Sequence, residues 1–237
     1  MKPILIYSFS FFLLSFFVFG QEKEVEKKDS LVKKPLRKQS SIFVGADLFL
    51  PSLSFVSERK GFRGFIQYQY NERTSLILEG GHETNVFNKI NWLVNVNGEY
   101  LSAGINHFFL VDKEENSFNG FYVGTRIANA FYRQEIKKYP IYGINTGDLA
   151  GVGSIAKDSE MSVWMEGVFG GRVDIIRRKL YTDISFRPRF HIYSTKKENI
   201  KPLIIPGFGT NINNLNFDIQ LALVYQIDLK KNKKEEK

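Results

Sequence analysis

The chain has 237 residues, no cysteine and a formal net charge of +8 at pH 7. Without cysteine it can form neither disulfide bonds nor a thiolate metal site. Much of the basic charge lies in two mixed-charge segments, at 22–38 and 230–237, of the kind that usually forms solvated tails. The charge therefore does not indicate nucleic-acid binding.

The first twenty residues have the layout of a cleaved export signal. Met1 and Lys2 form a short basic start, residues 3–19 are uncharged and apolar, and Gly20 offers a cleavage position. The alternative is a retained helical anchor, since the run is just long enough to span a bilayer. We expect cleavage, with residues 21–40 as a polar periplasmic segment. No second long apolar run follows.

Beyond this start, apolar residues recur at every second position, which is the spacing of β-strands. The last such segment alternates most regularly, and it is long enough to cross a membrane when tilted. Eight segments of this kind predict eight strands: Ser41–Leu50, Phe62–Tyr70, Thr74–Glu83, Gly98–Leu110, Asn119–Tyr132, Met161–Ile175, Leu180–Tyr193 and Phe217–Leu229.

The connections between these segments alternate in length. Short polar links follow the second, fourth and sixth strands, and the other connections are longer: Pro51–Gly61, Thr84–Asn97, Arg133–Glu160 and Ser194–Asn216. Short turns at one rim, long loops at the other and an even strand number are typical of outer-membrane barrels. We predict an all-β fold, an eight-stranded antiparallel up-and-down transmembrane β-barrel over residues 41–229, followed by a basic periplasmic tail at 230–237.

Alternation alone leaves open which face points outward, because a soluble lipocalin-like barrel also alternates, with its apolar face inside. An apolar exterior is favoured by ions of both signs on the polar face, Asp47, Arg63 and Glu79 among them, and by aromatic residues near strand ends. Side chains about fill the interior of an eight-stranded barrel. We therefore predict a lumenal salt-bridge network instead of a diffusion pore: Arg126, Glu166, Arg172, Asp174, Asp183, Arg187, Arg189 and Asp218.

Basic residues in the long connections are candidates for contacts with lipopolysaccharide phosphates, which Lys and Arg bind well. The alternative is a solvated surface without specificity. The candidates are Arg59, Lys60, Lys137, Lys138, Lys196 and Lys197.

The sequence offers little that suggests catalysis. The histidines His82, His107 and His191 lack metal-ligand spacing, and we predict no metal and no cofactor. His82, or His191 with Ser194, lies at the outer end of a strand, where a lipid-modifying enzyme would act. No nucleophile elbow surrounds them, which favours polar residues at a wet rim.

A glycine-rich stretch over residues 143–153 lacks the pattern of a phosphate loop. We expect it to be a flexible extracellular loop.

On these features the chain resembles the small eight-stranded outer-membrane barrels of the OmpA transmembrane-domain and OmpX type, over residues 41–229. The resemblance is architectural. Those barrels end at an aromatic residue that the assembly machinery reads, whereas here Tyr225 and Leu229 precede a basic tail. The chain is also similar to a Gram-negative outer-membrane family of about this length, and that resemblance implies no particular activity.

Together these features predict a monomeric, non-enzymatic outer-membrane protein with a structural or surface-interaction role: envelope integrity, adhesion or partner docking. The expected partners are outer-membrane lipid and lipopolysaccharide, the barrel-assembly machinery and periplasmic chaperones. Two alternatives stay open, namely a lipid-modifying outer-membrane enzyme and a soluble periplasmic lipocalin-like ligand-binding barrel.

Overall fold

The computed structural model describes residues 41–71, 73–89, 91–111, 118–143, 147–176, 179–195, 202–210 and 213–229. The expected signal peptide, the polar segment 21–40 and the basic tail 230–237 lie outside the described residues. In these ranges, no helix has the length and apolar character to cross a membrane.

Eight long strands form one closed antiparallel sheet, in which each strand pairs with its neighbours in the chain and the last pairs with the first. The predicted eight-stranded barrel is therefore confirmed. The connections contain a short helix, α1 (Phe49–Leu53), and a small hairpin, β8 (Ile204–Ile205) with β9 (Gly209–Thr210). The barrel strands are β1 (Ser41–Asp47), β2 (Arg59–Gln69), β3 (Thr74–Lys89), β4 (Trp92–Val111), β5 (Gly120–Tyr142), β6 (Leu149–Ile176), β7 (Leu180–Ser194) and β10 (Leu215–Asp228).

Along the barrel strands, most exposed residues are large and apolar, and the buried charged residues face the lumen. Along β10, for example, Phe217 and Ile219 are about half exposed, whereas Asp218 and Gln220, which alternate with them, are buried. A soluble barrel has the opposite arrangement, with its apolar face forming the core. The described strands thus contradict the lipocalin-like alternative.

The two rims of the barrel differ. The first residue of β1, the last of β10 and the links β2–β3, β4–β5 and β6–β7 share one rim, which we call the turn end. The opposite rim, which we call the loop end, carries the links β1–β2, β3–β4, β5–β6 and β7–β10.

Two of the predicted long loops are mostly strand, so the predictions of loops at 84–97 and 133–160 were wrong. At the loop end, β3 and β4 continue until Lys89 pairs with Trp92, and Asn91 takes a φ of +63° in the turn, a conformation that Asn tolerates. Likewise β5 and β6 continue until Tyr142 pairs with Leu149. The part of the glycine-rich stretch from Leu149 to Gly153 therefore lies on β6, and the described residues Gly143, Gly147 and Asp148 lie in the link before it.

Conversely, the first strand is shorter than predicted, because it ends at Asp47 and α1 begins at Phe49, with one further backbone hydrogen bond from Leu48 to Leu221 of β10. The Asp47 carboxylate accepts hydrogen bonds from the backbone N–H of Phe49 (3.0 Å) and of Leu50 (3.3 Å). These are free donors of the first helical turn, and Asp47 satisfies them from the position before the N-cap residue Leu48.

Candidate functional site: the barrel lumen

Glu79 on β3 lies at the centre of the ion pairs in the lumen. Its carboxylate binds Arg187 of β7 through two hydrogen bonds, of 2.7 and 3.0 Å, and accepts a third, of 2.9 Å, from Arg126 of β5. β3 and β7 are four strands apart in the ring of eight, so they face each other. The Glu79–Arg187 pair therefore crosses the full diameter of the barrel.

A second bridge crosses the barrel closer to the turn end. Arg172 of β6 binds Asp183 of β7 at 2.9 Å and donates to the side-chain oxygen of Gln67 on β2 at 2.6 Å. β6 and β2 also face each other in the ring. The Arg172 guanidinium lies 4.8 Å from the ring centre of Phe43, a distance typical of a cation–π contact.

Towards the loop end, Asp218 of β10 forms salt bridges with two arginines. It accepts from Arg63 of β2 at 2.6 Å and from Arg189 of β7 at 2.7 Å. Arg63 also binds Asp47 at 2.7 Å, and Arg189 binds Glu166 at 3.0 Å. These contacts connect β2, β1, β10, β7 and β6 in one network.

The charges of this network cancel. Among the described residues, the pairs inside the lumen comprise six arginines and six carboxylates. An unpaired charge in this buried environment would be strongly destabilising, so equal numbers are what a stable interior requires. We call these residues the ion layer: Arg59, Arg63, Arg126, Arg172, Arg187, Arg189, Asp47, Glu79, Glu83, Glu166, Asp183 and Asp218.

Seven of the eight network residues selected from the sequence lie buried in this layer: Arg126, Glu166, Arg172, Asp183, Arg187, Arg189 and Asp218. The eighth, Asp174, is only half buried near the turn end and exchanges hydrogen bonds with Asn119. Sequence reasoning missed Gln67, although its inward position follows from the alternation of β2.

An apolar chamber lies beyond the ion layer, at the loop end of the lumen. Residues 202–210, which belong to the β7–β10 connection and which we call the inserted segment, fold into it. Ile204, Ile205 and Phe208 are completely buried there, and the Phe208 ring meets Trp164 edge-on at 6.0 Å. No periodicity in the sequence marks this segment, and it was missed. The wall of the chamber consists of Val94, Val96, Tyr100, Ala128, Ala130, Tyr132, Ile136 and Trp164.

Side chains contact the backbone of the inserted segment at Gly207, Phe208 and Thr210, where Asn216 donates to the Thr210 carbonyl at 3.1 Å. The backbone N–H of Gly207 donates to Glu83 at 3.1 Å, and Arg189 approaches the carbonyl of Phe208 at 3.5 Å. Gly207 has a φ of +76°, and a Cβ there would lie 2.5 Å from the Tyr100 ring. Only glycine fits this close approach.

A β-bulge brings His191 and Ser194 to the same face of β7. Ile192 has no partner on β6, so it and Tyr193 both face outward, and the alternation resumes with Ser194 pointing inward. Nε2 of His191 then lies 2.6 Å from Oγ of Ser194, whose Oγ is also 2.6 Å from that of Ser162. The Ser194 hydroxyl is buried and shared between two groups.

The other two histidines stay apart from this pair. His82 approaches Asn97, and His107 lies at hydrogen-bond range from Thr74 on the adjacent strand. Within the described ranges, no three His, Asp or Glu side chains are placed to hold a metal ion.

The basic candidates for lipopolysaccharide contacts lie in different environments. Arg59 turns inward and forms a bidentate pair with Glu83, at 2.7 and 2.9 Å. Lys60, Lys137 and Lys138 are exposed at the loop end. Lys196 and Lys197 lie outside the described residues.

A family model described as "Domain of unknown function (DUF6048)" matches residues 4–232. No curated protein matches the chain. Among solved structures, the N-terminal β-barrel domain of Pseudomonas aeruginosa OprF aligns at 10% identity over 80% of this chain and 98% of that one, with a TM-score of 0.34. Ail, the attachment invasion locus protein of Yersinia pestis, aligns at 12% identity over 80% and 98%, with a TM-score of 0.37.

Neisserial surface protein A (NspA) aligns at 9% identity over 83% of this chain and 100% of that one, with a TM-score of 0.39. Scores this low do not establish shared geometry. The barrel architecture therefore rests on the strand pairing itself.

Proposed function

The chain belongs to the DUF6048 family, and we propose that it is an outer-membrane β-barrel with a structural or surface-interaction role and no enzymatic activity. The observation that carries this proposal is an apolar exterior around a lumen that two polar bridges cross from wall to wall. The proposed orientation puts the turn end in the periplasm and the loop end at the cell surface.

The exterior supports the membrane placement. On β10 every outward residue from Leu215 to Ile227 is apolar. A strand rises about 3.3 Å per residue, so at a tilt of roughly 40° this row is about 30 Å tall, which suits the apolar band of a membrane barrel. Closure of the sheet also pairs each barrel strand with two neighbours, as a lipid environment requires, and only at the loop end do β2 and β10 extend past the end of β1.

The loop end supports the surface-interaction role. The outward row of β5 changes from apolar Phe131 to Arg133, which pairs with Ser159 of β6. The β5–β6 hairpin therefore extends beyond the apolar belt, and its exposed Lys137 and Lys138 are positioned for lipopolysaccharide or a partner. Its exposed surface also carries apolar side chains, namely Ile141, Tyr142, Leu149 and Val152. Ser194 beside His191 is the feature closest to a lipid-modifying site. The Ser194 hydroxyl is buried and hydrogen-bonded to Ser162, which supports a structural role instead.

A cysteine scan tests the membrane placement sharply, because the chain has no cysteine of its own. Gly151→Cys lies on the projecting hairpin with open space around its Cβ, and the matched variant Lys179→Cys is exposed at the turn end. We expect a membrane-impermeant maleimide to label only Gly151→Cys in intact cells, and both variants after lysis. Labelling of both, or of neither, in intact cells would contradict the proposed orientation.

A further inference from the structure

We propose that the apolar chamber at the loop end is a binding cup for a short apolar peptide segment of a partner protein, and that the inserted segment is its built-in occupant. This inference rests on the surface-interaction role proposed above and names the chemistry of the partner.

The chamber contacts the inserted segment as a peptide-binding site contacts a peptide. Phe208 fits between Trp164 and His191, with ring centres 6.0 and 5.8 Å away. Glu83 accepts from the backbone N–H of Gly207, and Arg189 donates to the carbonyl of Phe208. The cup therefore combines apolar side-chain pockets with recognition of the backbone, which fits an apolar peptide with an aromatic residue.

The groups that hold the segment do not depend on it. Without the segment, Glu83 keeps its two hydrogen bonds to Arg59, and Arg189 keeps Glu166 and Asp218. Departure of the segment thus leaves no charge of these pairs unpaired. The chamber then loses mainly the burial of its apolar side chains, and another apolar segment can bury them again.

The floor of the cup is closed. The Glu79–Arg187 and Arg172–Gln67 bridges cross the lumen between the chamber and the turn end. A ligand in the chamber therefore enters and leaves at the loop end, where a partner on the cell surface can reach it.

The experiment uses the full chain refolded in detergent and a fluorescent peptide with the sequence of residues 203–209. The substitutions Ile204→Ser, Ile205→Ser and Phe208→Ser weaken the built-in occupant. We expect this variant to bind the peptide with a Kd at least about tenfold below that of the original chain, in which the tethered segment competes at high effective concentration. The milder Phe208→Ser variant should show an intermediate effect.

Two controls accompany this measurement. Phe55→Ser with Val56→Ser removes apolar side chains that are exposed outside the chamber and should leave peptide binding unchanged. A peptide in which serine replaces phenylalanine should bind at least about tenfold more weakly, since it lacks the group that fits between Trp164 and His191.

A second readout shows whether the cup has opened. In a Trp92→Phe background, Trp164 is the remaining tryptophan, and acrylamide quenching of its fluorescence should rise in the weakened variant and fall when the peptide binds. Folding of the weakened variant is checked by the change in gel mobility that a folded barrel shows on boiling. If the folded variant has an accessible Trp164 but binds the peptide no better than the original chain, the inference is overturned. A Trp164 that stays protected would overturn it as well. Neither result bears on the membrane orientation, which the cysteine labelling decides separately.

Discussion

At the scale of single residues, Glu79 links strands on opposite sides of the lumen. It is the shared partner of Arg126 and Arg187, and all three side chains are buried. Glu79→Gln keeps the volume and removes the charge, which leaves two buried guanidinium groups without that carboxylate. We expect a loss of about 3 kcal/mol in the free energy of unfolding, measured by urea denaturation in detergent.

The matched control for this prediction is Glu99→Gln, which removes the same charge from an exposed position on the neighbouring strand. Its effect should stay below about 0.5 kcal/mol. Equal urea midpoints for the two variants would show that the ion layer contributes nothing to stability.

At the scale of elements, α1 replaces a piece of the barrel wall. Pairing of β1 ends at Asp47 with β10 and at Ala46 with β2, yet β2 continues to Arg59 and β10 to Leu215. The helix contacts both strands and buries Leu50. We expect Leu50→Ala to cost about 2–3 kcal/mol locally and to speed amide hydrogen exchange in residues 59–63 and 215–221.

The exposed neighbour Pro51 supplies the control, since Pro51→Ala leaves the buried contact of the helix intact. Exchange that accelerates evenly around the barrel, or equally in both variants, would show that α1 does not close the wall.

At the scale of the whole molecule, a closed and electrically balanced lumen predicts an insulating barrel. We expect the refolded chain to give no stepwise conductance in planar bilayers, because the two wall-to-wall bridges block the path of ions through the lumen. An unrelated open porin reconstituted in parallel controls for insertion. Discrete openings of the original chain would contradict the occluded lumen.

Sequence reasoning succeeded where a local pattern decides the outcome. The alternation of β10 places Asp218 inside and Phe217 outside, and the same rule places Arg187 and Arg189. It failed for the β3–β4 extension, because beyond the apolar belt the apolar face is the inner one: Val94 and Val96 are buried against the chamber, and the outward Asn97 is polar. The asparagine-rich stretch 84–97 therefore looks like a loop.

Other misses depend on tertiary contacts. The bulge at Ile192 shifts the phase of β7 by one residue, and only the register against β6 reveals it. Ile204 and Ile205 have no alternating context, so their burial follows from the chamber that surrounds them and not from their own segment.

The pairing of the first strand with the last has a consequence for biogenesis. Ser41 meets Asp228 across a sequence separation of 187 residues, whereas β3 and β4 follow each other in the chain and pair as far as Lys89 and Trp92. Because distant contacts are slow to form, we expect the hairpins to assemble first and the pairing of β1 with β10 to close the ring last. The Arg63–Asp218 pair spans the same junction, so we expect it to form at closure. Before closure, the unpaired edges of β1 and β10 and the incomplete ion layer would be prone to aggregation, so we expect the chain to need a chaperone at this stage.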